Sequence, residues 1–340
     1  MVNSVSDIGQ NLLMQSIIQN GNSQLDDLQS QISSGLKAQT YGGLGGLATY
    51  QSLSLTAQAN TLSAYNDAIN STTAVTSVMD SSMTSVNSSA QSVLSDLQSV
   101  VQGATDPGMA TLGTQAQNAL TAIQGLLNSQ SGNTYVFSAA DTANAPIAST
   151  SALNTSVQTD LAAYYAGTET AAQFLTNTSS YTPAQMGYST TLAAAPNVTV
   201  RTGDNTDTDY TVKASNSGFQ NIMQGLSIIA NLQYNSADKS SFWTVYNGAV
   251  SQISAGMKSM NTDQAKLGIA TKSMTTAQTQ ISATQSVLNT AITSTENLSS
   301  TDLAAASTKL SDLESQLQTS YTIISQLKNL HLVDYLNGTL

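Results

Sequence analysis

Ten positions between residues 66 and 103 keep an unbroken three–four spacing: Ile69, Thr72, Thr76, Met79, Met83, Val86, Ala90, Val93, Leu97 and Val100. That spacing gathers the side chains onto one stripe of an α-helix packed along its length. From Asn66 to Gly103 such a helix runs for roughly 55 Å at about 1.5 Å per residue. Gly103-Ala-Thr-Asp-Pro-Gly108 then breaks it. Leu112, Ala116, Leu120, Ile123 and Leu127 predict a second helix folding back on the first.

A long seam needs apolar partners, and both ends of the chain supply them. Residues 5–36 read as a less regular helix through Ile8, Leu12, Ile17, Leu25, Leu28, Ile32 and Leu36. Tyr41-Gly-Gly-Leu-Gly-Gly46 interrupts the pattern, and a further helix is expected from Leu47 towards Tyr65. In the second half, Phe242, Val245, Ala249, Ile253, Met257 and Met260 share one stripe, and Met274, Ala277, Ile281, Leu288, Ile292 and Thr295 extend the pattern. After Asn297-Leu-Ser-Ser-Thr-Asp302 a new run follows through Leu303, Ala306, Leu310, Leu313, Leu317, Tyr321, Ile324 and Leu327.

The middle differs. Residues 135–218 hold every proline except Pro107, and Asn197-Val-Thr-Val-Arg201 and Asp209-Tyr-Thr-Val-Lys213 alternate with period two. With Thr202–Thr208 between them they predict a β-hairpin; a short helix is expected near 156–166. The fold class is therefore mainly α: a long helical bundle with paired N- and C-terminal helices and a small β-containing insertion.

Composition limits what such a bundle can do. Charged residues make up 9% and aromatics 5% of the chain, and the net charge is −11. Nucleic acid and anionic membrane both demand cationic surface, so neither is an expected partner. Residues 1–140 contain one basic residue, Lys37. There is no cysteine, which removes disulfides, thiolate nucleophiles and cysteine-ligated metals. No run of about 18 apolar residues exists to insert into a membrane, and Met-Val-Asn-Ser-Val-Ser-Asp lacks the basic and apolar regions of a cleaved signal.

No catalytic constellation stands out. The one histidine, His331, lies three residues from Asp334 without a nucleophile in context, and reads as a helix-end residue. Asp204, Asp207 and Asp209 lack the ligand count and closing glutamate of a calcium loop. The glycines at 42–46 lack the Lys-Ser/Thr of a phosphate loop and read as a bend or a close helix contact. Residues 141–218 contain neither His nor Cys, and only one glutamate, Glu169. No enzyme activity, cofactor or metal is expected. The apolar stripes at the two ends exceed what they can bury on each other, and an uncovered stripe marks an interface.

Gln31-Ile-Ser-Ser-Gly-Leu-Lys37 and Gly46-Leu-Ala48 resemble the N-terminal signature of the flagellin family, with Tyr41–Gly45 in place of its acidic spacer. Ser131-Gly-Asn-Thr-Tyr-Val-Phe-Ser-Ala139 resembles a stretch of the hook-associated branch. Ser300-Thr-Asp-Leu-Ala-Ala305 resembles the family's entry into its last helix. Ser320–Leu327 with Leu332-Val-Asp-Tyr-Leu336 resembles the ending of hook–filament junction proteins. The resemblance covers 1–140 and 219–336.

It implies three parts: a terminal-helix coiled coil (1–45 with 300–340), a helical bundle (46–140 with 219–299) and an outer β-containing insertion (141–218). It implies an extracellular flagellar subunit at the hook–filament junction, exported without a cleaved signal by the flagellar type III apparatus with the help of an export chaperone. Its partners would be other copies of itself and neighbouring hook-associated and flagellin subunits. A filament flagellin is the alternative. The expected assembly interface is Ile8, Leu12, Ile17, Leu25, Leu28, Ile32, Leu36, Leu303, Leu310, Leu313, Leu317, Ile324, Leu327 and Leu332.

Overall fold

The computed structural model describes residues 2–102 and 107–337, with the side chains of 12–102 and 107–326. The element order is α1 (Val2–Ser34), a 3₁₀ turn (Tyr41–Leu44), α2 (Gly46–Ser99), α3 (Met109–Leu127), β1 (Gln130–Ser131) and β2 (Thr134–Tyr135). Then follow α4 (Ser151–Tyr165), α5 (Ala171–Ser179), β3 (Thr199–Gly203), β4 (Thr206–Asp209), α6 (Ser217–Asn231), α7 (Lys239–Glu296) and α8 (Ser300–Asn337). The protein is mainly helical, with two small antiparallel hairpins. It divides into two compact units, residues 1–62 with 282–340 and residues 63–281. The chain passes between them inside α2 and again inside α7.

Within 63–281 the predicted seam is the core. Ile69, Thr72, Thr76, Met79, Met83, Val86, Ala90, Val93 and Leu97 are all buried. So are Leu112, Ala116, Leu120, Ile123 and Leu127 of α3, and Phe242, Val245, Ala249, Ile253, Met257 and Met260 of α7. Polar pairs line the flank where α2 meets α7: the Asn87 amide donates to Asn261 Oδ1 (3.2 Å), and the Gln264 amide to Asp80 Oδ1 (2.8 Å). Tyr246 is buried and donates its hydroxyl to Leu97 O at 2.7 Å, satisfying a carbonyl in the last turn of α2.

The helix expected from Leu47 and the one expected from Asn66 are a single α2, because nothing between Tyr65 and Asn66 breaks a helix. Gly108 carries a φ of +67° just before α3 starts; residues 103–106 of the predicted breaker lie outside the described residues.

Two findings depart from the sequence reading. The first is α6, which was not anticipated: Phe219, Ile222, Met223, Leu226, Ile228 and Ile229 are buried around its circumference. Glycines let it sit close to α7. A Cβ on Gly218 would stand 2.7 Å from Met260 N, and one on Gly256 would stand 2.7 Å from Gly218 O. The second is the hairpin. Its pairing runs Thr199↔Asp209, Val200↔Thr208, Arg201↔Asp207 and Gly203↔Thr206, with an irregularity between Arg201 and Gly203. Residues 206–208, expected in the turn, are strand, because Thr208 alternates inward opposite Val200 and Thr202, while residues 210–213, expected as strand, lie beyond the end of β4. The reversal narrows to Asp204-Asn205, where Asn205 takes a left-handed φ of 55°.

The insertion 141–218 shares the core of the rest of its unit: Ile147, Leu153, Val157, Leu161, Phe174, Met186 and Val212 belong to the same buried cluster as Leu120 and Ile253. Two strands of four and five residues cannot bury a core of their own. The short helix expected near 156–166 is the longer α4, which packs on α6 together with α5.

Candidate assembly interface

In residues 1–62 and 282–340 the first helix packs against the last, antiparallel. A Cβ on buried Gly21 would stand 2.7 Å from Leu317 Cδ2, and the Asn22 amide reaches the Tyr321 hydroxyl at 3.4 Å. Leu36 then bridges to Asn297. A side chain is missing at residue 21 where Leu317 packs against α1, which is what close approach there requires.

The Ser33-Ser-Gly-Leu-Lys37 stretch makes the joint. Gly35 has a φ of +73°, and its N–H donates to Gln31 O at 2.8 Å, closing α1 in a left-handed cap. Lys37 N donates to Glu296 O (2.7 Å) and Leu298 N to Gly35 O (2.8 Å), clipping the end of α1 to the end of α7. The Lys37 ammonium donates to the carbonyls of Ser294 (2.8 Å) and Thr295 (3.1 Å). Those carbonyls lie in the last turn of α7, where partial negative charge collects and a cation is favourable. Ser52, fully buried, donates its hydroxyl to the Glu296 carboxylate.

The next helix begins with a reciprocal cap. Asp302 N donates to Ser299 Oγ (3.1 Å), while Ser299 N and Oγ donate to Asp302 Oδ2 (3.3 and 2.8 Å). These hydrogen bonds, with the nearby Lys37 charge, hold the Asp302 carboxyl below its ordinary range.

The predicted interface residues fall into three groups. Leu317 is buried between the helices, and Leu25, Leu28, Ile32, Leu36, Leu310, Leu313 and Ile324 are half-buried. Leu12, Ile17 and Leu303 stay exposed, at 62%, 50% and 38%. Ile8, Leu327 and Leu332 lie outside the residues whose side chains are described, as does His331. The mutual packing of α1 and α8 therefore consumes only part of the apolar stripe. Leu12 sits about 180° around α1 from Gly21, on the face turned away from the α8 contact.

A second exposed cluster was not anticipated. Tyr41, Leu47, Tyr50 and Leu53 are 43%, 82%, 74% and 47% exposed, on the bend and the first turns of α2. The available signal was charge: residues 38–66 contain no Asp, Glu, Lys or Arg. Apart from Val101, Tyr165 and Ile269, every large exposed apolar side chain among the described residues belongs to 1–62 or 282–340.

The acidic hairpin residues have other engagements. Asp204 accepts from the Tyr65 hydroxyl (3.1 Å), Asp207 lies 3.9 Å from Arg201 Nε, and Asp209 accepts from Thr211 N and the Asn197 amide. Burial raises the Asp209 carboxyl, but those hydrogen bonds outweigh it and leave the group below its ordinary range. Among the described residues no group of three His, Cys, Asp or Glu side chains is placed to hold a metal ion, and no helix is long and apolar enough to cross a membrane.

Comparison with known proteins bears on the C-terminal half of this arrangement. Residues 250–336 match the family model for the bacterial flagellin C-terminal helical region. No curated protein sequence matches the chain. Among solved structures, one described as that of a flagellar hook-associated protein from Vibrio parahaemolyticus aligns with a TM-score of 0.54 at 14% identity. The alignment covers 73% of this chain and 97% of that one; at such identity the likeness is one of fold.

Proposed function

Since residues 250–336 carry a flagellin C-terminal helical region, we propose that the chain is a structural subunit of the bacterial flagellum, assembling at the junction between hook and filament. The observation that carries this reading is the concentration of exposed apolar side chains on the paired terminal segments, from Leu12 and Ile17 through Leu47 and Tyr50 to Leu303 and Tyr321. Exposed apolar side chains concentrated on one unit mark a surface that another protein covers. Other copies of the chain, with flagellin and a hook-associated protein on either side, are the proposed cover. The part of the predicted interface that α1 and α8 leave exposed, including Leu12, Ile17 and Leu303, extended by Tyr41, Leu47, Tyr50 and Leu53, is the surface they contact.

The role needs no bond-breaking chemistry. Long helices with buried seams supply stiffness, and the exposed stripe supplies adhesion between subunits. Export through the flagellar type III apparatus, with an export chaperone and without signal cleavage, belongs to the same proposal. The Leu332-Val-Asp-Tyr-Leu336 ending, similar to junction proteins, favours the junction over the filament. The likeness in fold to a hook-associated protein points the same way.

Deletion of the gene tests the assignment. The expected phenotype is an intact hook, no filament and flagellin released as monomer into the medium. A deletion strain that keeps its filaments refutes the junction role, and a filament built mainly of this chain would establish the alternative, a filament flagellin.

A further inference from the structure

Within the unit 63–281, a groove of about 770 Å³ opens between α3, α4 and the end of α6. Gly113, part of its lining, lets α3 approach the last turn of α6: a Cβ there would stand 3.1 Å from Ala230 O. Five of the twelve residues lining it are amides and none is charged, so its recognition chemistry is neutral hydrogen bonding.

The amides are held in place from behind. Buried Ser227 donates to Asn154 Oδ1 (2.7 Å), and the Asn154 amide donates to Gln117 Oε1 (2.9 Å). The Asn231 amide donates to Ser227 O (2.8 Å), and the Gln158 amide donates to Asn231 Oδ1 (2.7 Å). This chain of bonds fixes which end of each amide is used inward. It leaves the Gln117 NH₂ as a donor and the Gln158 carbonyl as an acceptor towards the groove. Asn118, exposed on α3, offers both.

One aromatic ring, that of Tyr234, lines one end; Tyr165 is outside the lining and holds the neighbouring Gln233 backbone. Tyr165 is 40% exposed, and its hydroxyl accepts from Gln233 N at 2.7 Å. Tyr234 lines the groove and is held edge-on against Phe242, with ring centroids 5.0 Å apart. Preset donors and acceptors beside one fixed aromatic ring suit a sugar, whose hydroxyls both donate and accept and whose C–H face stacks on a ring.

We infer that this groove binds a neutral oligosaccharide, a binding function separate from assembly at the terminal helices. The test is titration of the full-length protein with two uncharged probes, a β-linked N-acetylglucosamine trimer and a mannose trimer, followed through the side-chain amide resonances of Gln117, Asn118 and Gln158. A sialylated trisaccharide and an uncharged Gly-Ser-Asn peptide serve as controls. Saturable shifts are expected with at least one neutral trimer, and Asn118→Ala should weaken binding about five-fold, the effect of one net hydrogen bond. Gln117→Ala should weaken it by at least as much, with helix content unchanged in both variants. Amide resonances unmoved by either trimer at its solubility limit would overturn the inference. So would binding unaffected by both substitutions, or shifts produced by the peptide and not the sugars.

Discussion

Gly21 and Leu317 offer a sharp test of how the terminal helices pair. Glycine inside a helix costs about 1 kcal/mol relative to alanine, so Gly21→Ala at an open site would stabilise by that amount. Here the new methyl would lie 2.7 Å from Leu317 Cδ2 and 3.3 Å from its Cγ. Overpacking of that kind costs about 1–3 kcal/mol. The net expectation is a loss of zero to about 2 kcal/mol. Leu317 is 6% exposed, and its replacement by alanine should cost about 2 kcal/mol, the low end for a leucine whose neighbours are only half-buried. In the double variant the clash disappears while the helix-propensity gain remains, so the total loss should be about 1 kcal/mol. The two changes therefore compensate by roughly 1–3 kcal/mol, which a double-mutant cycle measures. Hydrogen exchange at the α1 amides flanking residue 21 reads the local opening energy directly. Additivity within about 0.5 kcal/mol, or Gly21→Ala acting as a simple stabiliser, would show that α1 and α8 do not meet there.

Three further outcomes follow from the same geometry. Lys37→Met removes two charge-assisted hydrogen bonds from the end of α7; it should cost about 1–2 kcal/mol in urea unfolding and let the Asp302 carboxyl rise towards its ordinary range, seen by carboxyl NMR. Burial pushes Tyr246 up to about 12, so the neutral phenol is favoured in the folded state; that stability is whole below the unfolded pKa of about 10 and is lost as pH rises through the folded value. Tyr246→Phe should therefore blunt alkaline unfolding followed by circular dichroism, and an unchanged alkaline midpoint contradicts the assignment. Gly256→Ala would set a methyl 2.7 Å from Gly218 O and 2.8 Å from Ile222 N, and should cost about 1–3 kcal/mol in thermal or urea unfolding, because backbone cannot rotate aside as a side chain can.

What the sequence revealed was periodicity. Nine positions of the 69–97 seam are buried as read, and so is the stripe from Phe242 to Met260. The reading missed α6 although Phe219, Ile222, Met223, Leu226 and Ile229 keep a helical spacing there; what the sequence hid is that its polar residues Gln224 and Ser227 are buried as well. The hairpin was found but its turn overestimated, because threonine-rich strand and threonine-rich loop look alike between residues 202 and 208. Lys37 was visible as an isolated charge. Its role was not, because the carbonyls it caps lie 257 and 258 residues away. Leu47 and Tyr50 look like ordinary helix residues in the sequence, since exposure depends on which helices pack alongside.

The central claim is that the stripe left open by the terminal helices is what holds the subunit in the flagellum. The most direct measurement uses Leu12→Asp with Ile17→Asp, both at positions half or more exposed, and compares the fraction of secreted chain retained in isolated flagella with the fraction free in the medium. Surface changes of this kind usually alter folding stability by no more than about 0.5 kcal/mol, so the isolated variant should unfold like the parent. The account predicts a folded, secreted chain that no longer incorporates. Incorporation at the parental level would contradict it.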